Sequence, residues 1–403
     1  MQRLRFADQG DREYRIADAH AQTFRWIFEP PRDPTKPIMN FKEWLEKDGN
    51  HIYWITGKAG AGKSTLMKFI TQQSRCGPLL RYWAGPMSLV TTRFYFWNSG
   101  SHMQMSQEGF LRTILHDALE QRPDMIPTVL PDRWTRIETF GTDAHPWLCL
   151  FIDGLDEFEG DLEALINLFR NLTTSPNVKA CLASRPWNIF EDAFDTRPSL
   201  RLEHLTHLDI RDYVTNKLHS HSGFKGLARR EPLFAAKLIE NITTKSSGVF
   251  LWVYLTVKSL LIGFTNGDRV SDLQLRLNKI PGDLILFYRK IFASIEPTYT
   301  KHAYQLFHLI EAGQGNLTAM ELYYADQGLE EAELIESAAA AQILPLSDQE
   351  YNDRYETINK RLNSRWKGLF EIKANKPGIE VKVSYLHRTA RDFLCSTEVS
   401  TRM

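Results

Sequence analysis

The chain has 403 residues, more than one ordinary domain holds, so its length predicts two or three domains. Hydrophobic residues make up 43% and charged residues 24%, an average globular composition with ample material for a core. The 49 basic residues balance the 49 acidic ones, which excludes an overall field that would recruit nucleic acid or an anionic membrane.

The spacing of the cysteines and the length of the apolar runs indicate in which cellular compartment the protein is expected. The four cysteines lie far apart and form no CxxC pair: Cys76, Cys149, Cys181 and Cys395. This spacing argues against a zinc site or a disulfide framework and fits a reducing compartment. The polar N-terminus is not a secretory signal. The strongest apolar run, Gly248–Phe264, is shorter than a membrane span and contains Lys258, so we expect a buried helix, no membrane partner and a cytoplasmic location.

Residues 1–50 are predicted to form a helical linker. One helix is expected over Glu13–Phe28 and another over Phe41–Lys47. Between them, four prolines in residues 30–37 forbid regular structure.

Residues 51–205 alternate between β-type and helical runs, beginning with a strand at His51–Thr56. This alternation predicts an α/β domain with a mostly parallel sheet and helices on both faces. The further β-type runs are 92–97, 146–153, 178–184 and 200–205, and the amphipathic runs are Ser64–Gln73, Gly109–Glu120 and Leu162–Leu172.

The β signal disappears after Thr206, so residues 206–296 are predicted to form an α-helical domain. Its expected helices are Leu208–His219, Pro232–Thr243, Gly248–Phe264, Ser271–Leu277 and Asp283–Ser294. Residues 297–403 show three helices, a hairpin and a closing helix near His387, an order that suggests a winged helix. The expected helices are Lys301–Ile310, Thr318–Asp326 and Asp353–Ser364, and the hairpin joins Gly368–Ile372 to Val381–Leu386 through a turn at 376–378.

The strongest motif is a phosphate loop of the form G-x-x-x-x-G-K-[ST], between a β-type run and a helical run. Its glycines allow backbone amides to wrap around phosphates, and the positive end of the following helix faces the same anion. The predicted nucleotide-binding residues are Gly57, Lys58, Ala59, Gly60, Ala61, Gly62, Lys63, Ser64 and Thr65. Lys63 is expected to reach the β- and γ-phosphates, and Ser64 to offer its hydroxyl to Mg²⁺.

Two further polar groups follow apolar strands. Asp153 ends a buried run, where ligands bind in open α/β sheets, and is predicted to hold Mg²⁺ directly or through water. Asp156 and Glu157 lie just beyond it and are candidates for polarising the attacking water. Arg185 ends another strand and is a candidate sensor of the γ-phosphate.

The three motifs, in this order and spacing, resemble the NACHT branch of the STAND signalling ATPases, and more narrowly the NACHT proteins of filamentous fungi that are related to NOD-like receptors. The resemblance covers nearly the whole chain. It is carried by residues 26–28, 44–45, 54–70, 94–100, 150–158, 182–187, 248–252 and 385–394, among which DGLDEF, SRPW and HRTARDFL are the most specific.

The resemblance implies a weak NTPase that serves as a switch in non-self recognition, innate immunity and regulated cell death. Its domains close around ADP at rest, and ATP permits oligomerisation. His387 matches the winged-helix histidine that contacts the β-phosphate in such proteins. The chain departs from the family pattern in two ways. In related proteins the proline of a Gly-x-Pro segment touches the adenine, whereas this chain has Gly248-Val249-Phe250. The resemblance therefore does not decide between ATP and GTP. The chain also has no room for effector or sensor regions, so we expect a fragment, a truncated relative, or action through unknown partners.

Two alternatives remain open. A DNA-handling winged-helix ATPase would draw on residues 353–392, where ten basic and five acidic residues leave a formal charge of +5. However, residues 321–350 hold eight acidic residues and no Lys or Arg, so no basic footprint emerges and nucleic acid is not an expected partner. A scaffold that binds nucleotide without hydrolysing it has the same sequence features, and a turnover assay separates it from the switch.

Overall fold

The computed structural model describes residues 4–20, 23–29, 40–126, 146–313, 317–328, 346–373, 381–396 and 399. The chain divides into two compact units. The first consists of Met1–Asn98 and His102–Ile280, and the second of Pro281–Met403 with Ser99–Ser101.

The first unit is built around a five-stranded sheet. Its strands are β1 Ile52–Thr56, β2 Leu89–Tyr95, β3 Trp147–Asp153, β4 Val178–Ser184 and β5 Ser199–Arg201. Their spatial order is β2-β3-β4-β1-β5, and every neighbouring pair is parallel. The predicted parallel sheet is therefore confirmed. Only the start of the predicted run 200–205 is a strand, because Leu202–His204 turns into a 3₁₀ helix that buries Leu202.

Helices cover both faces of this sheet, as the alternation predicts. In chain order they are α1 Asp11–Arg15, α2 Phe41–Glu46, α3 Lys63–Gln72, α4 Cys76–Ala84, α5 His102–Met105, α6 Gln107–Gln121, α7 Leu162–Leu172 and α8 Asn188–Phe194. Alternate residues of a strand point to opposite faces. Tyr53 and Ile55 accordingly join one hydrophobic cluster with α2, α3 and α4, whereas Ile52 and Trp54 join another with α6, α7 and α8.

The prediction of one continuous helix over Glu13–Phe28 is wrong. Helix α1 ends at Arg15, Ile16 is extended, and Phe24 adopts a left-handed backbone with φ 65°, followed by a short 3₁₀ turn. Tertiary contacts override the helical pattern here. The backbone amide of Phe24 and the indole Nε1 of Trp26 both donate to the carboxylate of Asp209, at 3.1 and 2.9 Å.

Five more helices follow in the described part of the first unit: α9 His207–Ser220, α10 Ser222–Arg230, α11 Pro232–Lys245, α12 Phe250–Asn266 and α13 Val270–Lys279. The long apolar run forms α12, as predicted, and most of its side chains are buried. The predicted elements do not include helices α4, α5, α8 and α10. Within the described part of the chain, no helix combines the length and the apolar character needed to cross a membrane.

The second unit contains helices and a hairpin. Its elements are α14 Leu284–Ala293, α15 Thr300–Ala312, α16 Ala319–Gly328, α17 Asp348–Trp366, β6 Phe370–Lys373, β7 Lys382–Tyr385 and α18 Arg388–Leu394. β6 and β7 are antiparallel, which confirms the predicted hairpin, whose predicted turn at 376–378 lies outside the described residues. Thr318, before α16, also forms an antiparallel bridge to Lys382.

Candidate functional site

The phosphate loop lies between β1 and α3, as its motif predicts. Gly60 and Gly62 have positive φ values of 75° and 102°, which non-glycine residues rarely adopt. A Cβ atom at Gly60 would stand 3.0 Å from the Cβ of Leu251. The first amides of α3 carry no side-chain cap, so they remain available to an anion at the positive end of the helix.

Lys63 begins α3 and directs its ammonium group back across the loop. Its Nζ donates to the carbonyl oxygens of Gly57 and Lys58, at 2.6 and 3.1 Å. Burial lowers the pKa of this side chain, while the carboxylates of Asp156 and Asp153 act in the opposite direction. The ammonium is therefore held at the loop beside two acidic groups.

Ser64 and Asp153, the two predicted magnesium ligands, lie within hydrogen-bonding distance of each other. Asp153 ends β3 and is almost fully buried. Burial raises the pKa of this carboxyl group. A hydrogen bond with the Ser64 side chain and the charges of Arg12 and Lys63 lower this pKa. A hydroxyl and a carboxylate beside a phosphate loop are oxygen ligands of the kind Mg²⁺ prefers, so these residues fit the cation that the motif implies.

Asp156 and Arg185 form a close pair. The Asp156 carboxylate accepts from the Arg185 backbone amide at 3.0 Å and from its Nε at 3.0 Å. The Asp156 side chain is buried, and that of Arg185 is 20% exposed. The Ser184 hydroxyl accepts from the Trp54 indole at 2.9 Å and donates to the Arg185 carbonyl at 3.0 Å, which ties this strand end to β1.

Glu157 lies on the 3₁₀ turn that follows β3. Its Oε2 accepts from the backbone amide of Asn98 at 3.1 Å, and Asn98 lies shortly after β2. The pairing of Tyr95 with Asp153 brings these two strand ends to the same edge of the sheet. The predicted acidic residues are thus held by different partners, Asp156 by Arg185 and Glu157 by Asn98.

Residues from later in the chain also reach the loop. Glu203 accepts from the Lys58 amide at 3.2 Å, and the Leu251 amide donates to the Gly60 carbonyl at 3.1 Å. Val249, within the segment that replaces Gly-x-Pro, lies 3.4 Å from the position of a Cβ at Gly60. Sequence reasoning missed Glu203, although an acidic residue just after the strand beside β1 is a usable signal.

His387 lies in the second unit, at the start of α18. Its Nδ1 accepts from the Thr389 amide at 3.2 Å and lies 2.9 Å from the Thr389 hydroxyl. A backbone amide can only donate, so Nδ1 of His387 is the acceptor in this contact. His387 thus serves as the N-cap of this helix.

Two family models match the chain. Residues 22–185 match the family described as Nephrocystin 3, N-terminal, and residues 294–403 match a domain of unknown function, DUF7791. Among curated proteins, the chain is 24% identical over 247 residues to the vegetative incompatibility protein HET-E-1 of Podospora anserina. That match covers 55% of this chain but only 17% of the relative.

Solved structures of DNA-bound proteins show a weaker likeness. Drosophila ORC bound to DNA is 13% identical with a TM-score of 0.41, and the match covers 96% of this chain and 90% of that one. The Aeropyrum pernix ORC1 protein in complex with DNA is 11% identical with a TM-score of 0.31, covering 94% and 97%. Likeness at this level carries no inference about this chain.

The assignment of the chain therefore rests on its own site and on the sequence matches. The phosphate loop, the buried Asp153 and the Asp156–Arg185 pair lie on one five-stranded parallel sheet. The first family match covers most of that sheet, and the similarity to HET-E-1 extends over more than half of the chain. Together, these findings support the assignment of the chain as a NACHT-type STAND NTPase.

Proposed function

We propose that this chain is a nucleotide-operated signalling switch that binds ATP with Mg²⁺, hydrolyses it slowly, and assembles in its triphosphate state. One observation carries the proposal. The phosphate loop, the Ser64–Asp153 pair and the Asp156–Arg185 pair converge at the carboxyl edge of one parallel sheet. Open α/β sheets bind their ligands at that edge.

The loop residues 57–65 would bind the phosphates through their amides and the Lys63 ammonium. Ser64 and Asp153 would hold Mg²⁺, which supplies charge neutralisation on the terminal phosphates when bound. The hydrogen bonds that Lys63 now makes to Gly57 and Lys58 keep its ammonium at the loop, so a small side-chain movement suffices to reach a phosphate.

For hydrolysis we assign different roles to the two neighbouring carboxylates. Both oxygens of Asp156 are hydrogen-bonded to Arg185, so Asp156 acts as a positioning residue. Arg185 then reports the γ-phosphate. Glu157, held by the Asn98 amide, polarises the attacking water as a general base.

The switching step needs contacts that differ between triphosphate and diphosphate. The Leu251–Gly60 hydrogen bond joins the phosphate loop to the start of α12, so a change at the loop reaches a long buried helix. In the second unit, we interpret the order of α15–α17 and the β6–β7 hairpin as a winged helix. His387 would contact the β-phosphate of ADP in the resting state.

The expected partners are a nucleotide, further copies of the chain, and effector and sensor proteins of unknown identity, in the cytoplasm. HET-E-1 is a vegetative incompatibility protein, and a role in non-self recognition is proposed here by that similarity. Phe250 stands where the resemblance places the proline that touches the adenine, so GTP is also a candidate ligand.

The proposal is tested by titration calorimetry and light scattering of the purified chain with ADP, a non-hydrolysable ATP analogue, and GTP, each with Mg²⁺. We expect micromolar or tighter binding of at least one purine nucleotide, and a larger mass with the triphosphate than with ADP. Absence of binding to all three would refute the proposal. Binding without any turnover of ATP or GTP would instead favour the scaffold.

A further inference from the structure

Two arginines of the short helix α1 lie side by side against one aromatic ring. The guanidinium carbons of Arg12 and Arg15 are 5.6 and 4.8 Å from the ring centroid of Trp97. Arg15 is only 9% exposed, and Trp97 is also buried. Two like charges therefore lie side by side, one on a buried residue and the other on the half-buried Arg12.

Three nitrogens of these guanidinium groups have no hydrogen-bond partner in the part of the chain that the structure describes. These buried atoms are Nε of Arg12 and both Nε and Nη1 of Arg15. Burial lowers the pKa of Arg15, and the charge of Arg12 lowers it further, while Asp11 and Asp8 act in the opposite direction. No ion pair in the described part of the chain joins either arginine to a carboxylate. Holding buried cations in this way costs free energy that a bound anion would offset.

The arginines lie on the magnesium side of the candidate site. Trp97 comes directly after Phe96, whose amide donates to the Asp153 carbonyl at 3.0 Å. The next residue, Asn98, holds Glu157. Trp97 and the arginines that pack on it thus lie between the backbone contact to Asp153 and the residue that holds Glu157. An anion that bridges the loop and the bound cation would approach these arginines.

Helix α1 is fixed to the domain on several sides. Glu13 accepts from Nε of Arg93 at 2.7 Å, and Gln104 donates to the carbonyl of Asp8 at 3.1 Å. Lys68, on the helix that follows the phosphate loop, donates to the carbonyl of Ile16 at 2.7 Å. The two guanidinium groups are therefore presented from a fixed element, as a preorganised anion site requires.

We propose that Arg12 and Arg15 bind the terminal phosphate of a nucleoside triphosphate, from a segment that precedes the phosphate loop, and so give the site its preference for triphosphate over diphosphate. This inference rests on the proposed nucleotide site. It adds a second source of positive charge, which faces the phosphate that distinguishes the two ligands. Arginine suits this task because its planar fork binds phosphate oxygens in pairs.

The test compares Arg12→Met, Arg15→Met and Arg12→Lys with the native chain and with Arg81→Met, an exposed arginine on α4. Calorimetry gives the affinities for Mg²⁺ with AMP-PNP, with GMP-PNP and with ADP. Loss of a charge-assisted contact predicts about 10- to 100-fold weaker triphosphate binding by each Met variant. ADP affinity changes less than about 3-fold, because ADP lacks the phosphate that the arginines contact. Arg12→Lys retains the charge and falls between native and Met.

A melting temperature without nucleotide provides the second readout. If the arginines serve an anion, each Met variant melts at or above the native temperature, since an unpaired buried charge is removed. Equal triphosphate affinities of native and Met variants would overturn the inference, and so would Met variants that melt well below the native protein. A native chain that binds no nucleotide at all would instead refute the proposed function.

Discussion

Lys63 is the residue on which the proposed phosphate site depends most directly. Its buried ammonium already contacts two loop carbonyls, and we expect it to exchange one of these contacts for phosphate oxygens. Lys63→Ala removes charge-assisted hydrogen bonds worth about 1.5–3 kcal/mol each, so affinity for both di- and triphosphate should fall at least 10- to 100-fold. Calorimetry measures this directly. Lys42→Ala, which removes an exposed lysine of α2, is the matched control, and native affinity in Lys63→Ala would contradict the assignment.

The Asp156–Arg185 pair permits a double-mutant cycle on stability. The carboxylate is buried and bound twice, so removal of either partner leaves the other charge without its main contact. We expect each single alanine variant to cost about 3 kcal/mol, and the double variant to cost clearly less than the sum. Urea unfolding measures the coupling. The exposed Lys47–Glu43 pair is the comparison, with an expected coupling of about 0.3–0.5 kcal/mol. Additive effects at Asp156 and Arg185 would show that this contact does not stabilise the fold.

Single residues differ in how far the sequence alone could place them. The phosphate loop and Asp153 follow local rules, since a strand, a glycine-rich turn and a helix lie in one short segment. The approach of Glu203 to Lys58 and of Arg12 to Trp97 depends instead on which distant segments become neighbours in the fold. That pairing joins residues far apart in sequence, so no local pattern contains it.

Among the elements, helix α2 has an unusual C-terminal cap. Lys179, in the middle of β4, is fully buried and donates to the carbonyls of Trp44, Leu45 and Lys47 at 2.7, 3.2 and 2.8 Å. A cation at a helix C-terminus is favourable, and here it also satisfies carbonyls that the helix cannot. Lys179→Met should destabilise the first unit by about 3 kcal/mol in urea unfolding, because a buried acceptor without a donor costs about 1–3 kcal/mol. Native stability of this variant would show that the cap is dispensable.

The same lysine predicts a pH dependence. Burial lowers its pKa from 10.5 to about 8. Between these two values the unfolded chain holds a proton that the folded chain releases, so this group makes stability rise with pH. The slope is at most about 1.4 kcal/mol per pH unit. The buried cysteines, whose pKa values are raised by burial, act oppositely above pH 9. The unfolding free energies of native and Lys179→Met are therefore compared from pH 7 to 9, below the range in which the cysteines act. A difference that does not change with pH would refute the prediction.

The elements also show where pattern-based prediction fails. Strands buried on both faces and amphipathic helices were predicted well because burial sets their periodicity. The segment from Glu13 to Phe28 has helical propensity, but among its described residues the α-helix ends at Arg15. Asp209 instead holds Phe24 and Trp26 at a short 3₁₀ turn. A hydrogen bond to a residue almost two hundred positions away outweighs the small free energies of local propensity.

At the scale of the whole molecule, we expect the bound nucleotide to control whether copies of the chain assemble. Glu157→Gln keeps the shape of the side chain but removes the base that we assign to hydrolysis. With Mg²⁺ and ATP, the variant should remain in the triphosphate state and accumulate as an oligomer. The native chain should return to its resting mass as ATP is consumed. Light scattering followed over time distinguishes these two courses.

Two control variants show whether the effect of Glu157→Gln comes from lost hydrolysis or from altered nucleotide binding. Glu159→Gln, an exposed carboxylate two residues further along, should behave as the native chain does. Lys63→Ala combined with Glu157→Gln should stay at the resting mass, because trapping requires a bound triphosphate. An oligomer in this double variant would mean that the Glu157 change promotes association without nucleotide. If Glu157→Gln stays monomeric at saturating ATP, the triphosphate does not drive assembly, however tightly it binds. A ligand shifts an equilibrium between two states only to the extent that it binds one of them more tightly than the other.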